Sequence, residues 1–186
     1  MTTTTAPAAG VAPTLRRLYF VRFAFALVWA GLLFATASSL GPISVALLVL
    51  YPLFDVVAAV LDARSARTGK PIAALYVNVA ISLLAAAGLG FAASSGIPGV
   101  LRVWGSWAIV AGLVQLVVGV TRRGLGGQWP MILSGAISVL AGASFIFQAT
   151  KDGASLTALA GYATLGGVFF LVSALRLGRG RKAQEQ

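Results

Sequence analysis

VWGSWAIVAGLVQLVVGVTRRGLGGQWPMILSGAISVLAGASFIFQ, residues 103–148, decides the fold. Two apolar runs, free of any charged residue, flank one short basic turn at Arg122 and Arg123. A hydrocarbon core of about 30 Å asks about 20 predominantly apolar residues of a helix that crosses it, and each run approaches that length. The pattern repeats outward in both directions, predicting spans over 18–38, 42–61, 71–94, 100–121, 129–149 and 155–177. Charge then orients them. Of the 14 Lys and Arg, all but Arg102 and Lys151 fall on one face if the N-terminus is cytoplasmic: Arg16, Arg17, Arg22, Arg64, Arg67, Lys70, Arg122, Arg123, Arg176, Arg179, Arg181 and Lys182. Positive charge accumulates on the cytoplasmic side of membrane proteins. The expected fold is therefore all-α: a polytopic membrane protein of six transmembrane helices with both termini inside.

Composition agrees. The chain is 59% hydrophobic and only 10% charged, with a mean hydropathy of +0.93, which excludes an ordinary soluble domain. The formal charge of +10 lies in short membrane-flanking turns. Its expected partners are anionic lipid head groups at the cytoplasmic face and the bilayer itself, not nucleic acid. A homo-oligomer stands as an open option. Cysteine and histidine are both absent, which removes disulfides, thiol chemistry and the commonest general base and metal ligand. The four carboxylates are Asp55, Asp62, Asp152 and Glu185, and only Asp55 lies within a span. No cofactor and no catalytic residue is expected, and the chain reads as not an enzyme.

Between the spans the segments are small. Residues 1–17, beginning MTTTTAPAAGVAPT, read as a disordered cytoplasmic tail. Residues 178–186 read as a basic cytoplasmic tail. Ala35-Thr36-Ala37 resembles a signal-peptidase site, but the preceding apolar run exceeds a usual signal core and contains Arg22. Pro42 and Pro71 stand where helices should start. Gly126-Gly127 lacks the strand and the Lys-Ser/Thr that a phosphate loop requires.

The chain also matches itself. Shifted by 56, Arg22, Ala26 and Ala30 fall on Asn78, Ser82 and Ala86, and the same shift again reaches Ser134, Ser138 and Gly142. In the even spans Pro52 and Asp55 fall on Gly112 and Gln115, then on Gly167 and Phe170. This predicts three parallel-related helical hairpins, about 18–61, 71–121 and 129–177. It also predicts that the odd helices pack through small residues at four-residue spacing, Asn78-Ser82-Ala86-Gly90 and Ser134-Ser138-Gly142.

The polar repeat positions fall at one depth. Arg22, Asp55, Asn78, Gln115 and Ser134 form a candidate intramembrane polar layer a few ångströms from the cytoplasmic interface, at ~1.5 Å rise per residue. Asp55, in LYPLFDVVAAVL, is surrounded by apolar residues, and a carboxylate there is normally paired or functional. Arg22 is the expected partner, within salt-bridge range. Three readings stand: a structural ion pair, a proton or ligand site, and an Arg22 that snorkels to the interface. Pro52 should kink its helix and free the carbonyl near residue 48. Trp104, Trp107, Trp129, Tyr19 and Tyr76 fit interfacial belts, whereas Trp29 and Tyr51 lie deeper as packing residues.

The strings VWGSWAIVAGLVQLVVGVTRR and WPMILSGAISVLAGASFIFQ, a glycine-rich helix with a late Gln, a basic turn, Trp, then L-S-G-x-x-S-V-L-x-G, resemble the HdeD-like membrane proteins. YPLFDVVAA looks like a variant of actinobacterial members. The resemblance covers about residues 18–177. It implies a bacterial cytoplasmic-membrane protein, associated in the family's namesake with acid resistance, and it brings no catalytic residues. The expectation is a non-enzymatic protein of envelope or acid-stress tolerance. The alternative is a small transporter or proton-conducting protein working through the Asp55 layer. Phe170 leaves the third repeat without its polar residue.

Overall fold

The computed structural model describes residues 11–65, 72–121, 123–125 and 129–182, and among these it contains helices and no strand. The α-helices are α1 (Val11–Ala35), α2 (Pro42–Ser65), α3 (Ile72–Ala92), α4 (Gly96–Thr121), α5 (Trp129–Gln148) and α6 (Thr157–Lys182), with short 3-10 turns at Ala93–Ser95 and Arg123–Leu125. Among the described residues five runs are long and apolar enough to cross a membrane: Arg16–Ala35, Pro42–Leu61, Ala73–Thr121, Trp129–Gln148 and Thr157–Arg176. The third is 49 residues long and contains both α3 and α4, because the 3-10 turn at Ala93–Ser95 joins them without a non-helical residue. The chain nevertheless turns back there. Gly96 has φ +74, which favours glycine, and Trp107 Nε1 donates to Ser82 Oγ at 3.3 Å. In a straight helix those residues would stand about 37 Å apart.

Several helix boundaries differ from the sequence expectation. α1 begins at Val11, inside the stretch 1–17 expected to be a tail. Pro13 does not stop it, since a proline in the first turn removes an N–H that has no intrahelical acceptor. α6 continues to Lys182, past the expected end at 177, and basic residues near a helix C-terminus favour that extension. α2 likewise runs to Ser65. Residues 1–10, 66–71 and 183–186, on which the rest of those expectations fall, lie outside the described residues.

The helices form a closed ring, but the tight neighbours are not the expected hairpins. α4 packs most closely on α5, α1 on α6 and α2 on α3, with lighter contact for α3 on α4, α1 on α2 and α5 on α6. Glycine explains the tightest seam. A Cβ on Gly105 would stand 2.6 Å from the Gly142 carbonyl oxygen, and one on Gly112 would stand 2.7 Å from that of Gly135. Gly105-Gly112-Gly119 on α4 and Gly135-Gly142 on α5 each repeat every seven residues, so one seam stays in register along two antiparallel helices. The odd helices thus use their small residues against even helices, not against one another. Ser82, Ala86, Ser138 and Gly142 are all buried, as expected; Gly90 is exposed with open space around it, so that stripe ends a turn early.

The ring is packed unevenly along its length. The hydrophobic core joins Trp29, Leu33, Leu48, Leu101, Trp104 and Leu156 with their neighbours. Every member lies in the half of its helix that meets the turns at 36–41, 93–96 and 149–156. Two of those turns are tied together, the Leu156 amide reaching the Ala37 carbonyl at 3.5 Å, and Ser44 Oγ braces the first by donating to the Ser39 carbonyl at 3.0 Å. The opposite, basic end carries Arg17, Arg64, Arg123 and Arg176, all exposed, and no part of this core.

Candidate functional site

All five residues of the expected polar layer lie on interior helix faces. Asp55 stands two positions from exposed Leu53 and from exposed Val57, about 200° round the helix from each. Gln115 bears the same relation to exposed Leu113 and Val117, and it shares its face with buried Gly112 and Gly119. Arg22 and Asn78 each sit one turn before a buried small residue, Ala26 and Ser82, and Ser134 one turn before buried Ser138. The helices therefore direct these side chains away from the outer surface of the ring.

Three of the five meet. Arg22 Nη2 donates to Asp55 Oδ1 at 2.5 Å, a salt bridge whose side chains remain 18% and 16% exposed. Asn78 Nδ2 donates to Asp55 Oδ2 at 2.7 Å, and Ser82 Oγ donates to the same oxygen at 3.0 Å. Trp107 Nε1 in turn donates to Ser82 Oγ. The Arg22 guanidinium lies over the Phe170 ring, 4.4 Å from its centroid, where the ring face attracts a cation. One carboxylate thus gathers groups from α1, α3, α4 and α6 around α2. Both of its oxygens are occupied and its charge is cancelled. That is what a charge removed from bulk water needs.

Gln115 and Ser134 do not join this cluster. Both are half-buried, and neither side chain makes a hydrogen bond among the described residues. Farther from the basic end, Ser138 Oγ and Tyr162 Oη are 2.8 Å apart. Trp29, Tyr51, Trp104 and Trp107 form an aromatic cluster, with ring centroids 4.6 Å apart for Trp29–Tyr51 and 5.3 Å for both Trp29–Trp104 and Trp104–Trp107. Trp104 has no exposed surface. The interfacial place expected for Trp104 and Trp107 is therefore corrected: α4 turns both rings inward, against Tyr51 and each other, while Val110, Leu113 and Val117 of the same helix are exposed. Trp129 and Tyr76 are exposed. Pro52 sits inside α2, and Trp29 Nε1 donates to the Leu47 carbonyl at 2.6 Å, one residue from the Leu48 carbonyl that the proline leaves without its helical donor.

Ser82, Trp107 and Phe170 complete the site without having been expected in it. Ser82 stood in the sequence as a packing residue, yet its position one turn after Asn78 was the signal that it reaches the same partner. Phe170 stood as a missing polar residue; its ring is the counterpart of the guanidinium. Among the described residues no group of three or more His, Cys, Asp or Glu is placed to hold a metal ion. No protein-family model, curated protein or solved structure matches this chain.

Proposed function

We propose that this chain is a non-enzymatic, multi-pass protein of the bacterial cytoplasmic membrane, of HdeD-like type, with a role in envelope or acid-stress tolerance. The chain crosses six times, with both termini in the cytoplasm. Apolar helices long enough to cross a membrane support the membrane placement, and the turn at Gly96 supports counting α3 and α4 as separate crossings. The charge asymmetry of the turns supports the orientation, and the strings quoted above support the type.

The observation that carries the reading is the saturation of Asp55 by three donors from α1 and α3. A carboxylate with both oxygens engaged and its charge balanced acts as a clamp on three helices, not as a free base. Reporter fusions after Lys70, Gln128 and Gln186 test the topology: all three read inside, and one external signal overturns it. Acid survival tests the role. Cells lacking the protein survive acid poorly, and an Asp55→Asn protein that reaches the membrane folded restores survival. Folded Asp55→Asn protein without restored survival rejects the clamp in favour of a proton-binding group.

A further inference from the structure

We infer that the basic half of the bundle is a water-filled vestibule, open to the cytoplasm and closed to the outside, with Gln115 and Ser134 on its wall and the Arg22–Asp55 pair at its side. The orientation rests on the topology proposed above; the vestibule itself rests on packing. The dry core occupies only the other half of the ring. There Leu33, Leu101, Trp104, Leu156 and Leu159 have no exposed surface at all. In the basic half Arg22, Asp55, Asn78, Gln115 and Ser134 face inward and keep part of their surface exposed, beside buried Ala58, Ala59 and Ala174.

That exposure is not exposure to lipid. Gln115 lies on the helix face opposite Leu113 and Val117, and the Gly112–Gly135 contact on the same face closes α4 onto α5. An amide or hydroxyl without a partner in hydrocarbon carries a desolvation penalty that native membrane helices avoid. Gln115 and Ser134 have no protein partner among the described residues, so water is the partner that satisfies them. The occupant is water because Arg22 and Asp55, the charged pair of this layer, neutralise each other. The vestibule ends at the layer of Trp104 and Leu101. It is a pocket entered from one side, and the apolar half beyond it offers no polar path through the membrane.

The absence of cysteine from the chain makes the test direct. Single cysteines are placed at Gln115 and Ser134, at the lipid-facing neighbours Leu113 and Leu133, in the core at Leu159, and at exposed Arg64. A membrane-impermeant sulfonated thiol reagent is then applied to inverted and right-side-out vesicles. Gln115→Cys and Ser134→Cys react at least tenfold faster than Leu113→Cys and Leu133→Cys, from the same side as Arg64→Cys and from no other. Leu159→Cys stays unlabelled from both sides. Size-exclusion profiles of each variant in detergent exclude labelling of unfolded protein. Rates at 115 and 134 no faster than at 113 and 133 overturn the vestibule, and labelling of Leu159→Cys from the outside overturns the seal. Labelling of Arg64→Cys from the outside instead overturns the topology, with the vestibule still decided by the rate ratio.

Discussion

Gly142→Leu abolishes the folded bundle, and Gly142→Ala alone destabilises it by about 1–3 kcal/mol, the range in which overpacking falls. The reason is backbone, not side chain. A Cβ at Gly142 would stand 2.5 Å from the Gly105 carbonyl oxygen and 3.0 Å from the Ile109 amide nitrogen. A carbonyl held in a helix cannot step aside as a flexible side chain can, so α4 and α5 must separate. Gly105, Gly112 and Gly135 face the same obstruction from the partner helix. Dispersion between surfaces in contact is what joins helices in lipid, so a seam opened at one glycine loses contact along its neighbours. Gly161 is the counter-case. It lies within α6 with nothing within 4 Å of a Cβ, so Gly161→Ala gains up to ~1 kcal/mol of helix propensity. Opposite signs for Gly142→Ala and Gly161→Ala, measured by thermal unfolding in one detergent, separate seam packing from propensity. A tolerated Gly142→Leu rejects the seam.

Those glycines also show how far the sequence could be read. Hydropathy and charge gave the all-helical, membrane-compatible class, because both are summed over some twenty residues and survive local error. Which helices touch is a finer matter. The shift of 56 located the small-residue faces, but a face does not name its partner. Gly105, Gly112 and Gly119 belong to α4, outside the odd-helix stripes, and their seven-residue spacing is what selects α5. Trp104 was misplaced for a related reason. Eight positions into α4 it stands near the expected end of a span, where tryptophan is common, and only the rotation of the helix turns it inward. Arg22 and Asp55 were legible because two opposite charges at one depth leave hydrocarbon few other solutions. Ser82, Trp107 and Phe170 were not, since a hydroxyl, an indole and a phenyl ring are all ordinary in apolar packing.

Breaking the Arg22–Asp55 pair from either side destabilises the bundle, and unequally. Losing one member of a well-buried pair can cost about 3–5 kcal/mol because the other is stranded; here the cost is lower, since both side chains keep some exposure. Arg22→Gln is the worse change. It leaves the short Asp55 side chain charged and unable to travel, with Asn78 and Ser82 as its remaining protein donors. Asp55→Asn leaves a long guanidinium that can snorkel toward the basic end and that keeps the Phe170 ring beneath it. The double change Arg22→Gln with Asp55→Asn removes both charges together and falls short of the summed single losses, by the 0.5–3 kcal/mol typical of coupled contacts. Thermal unfolding of the four proteins in detergent closes the cycle. Additive losses reject the pair as an energetic unit, and an Asp55→Asn loss larger than that of Arg22→Gln rejects the view that Asp55 is the charge the site exists to hold.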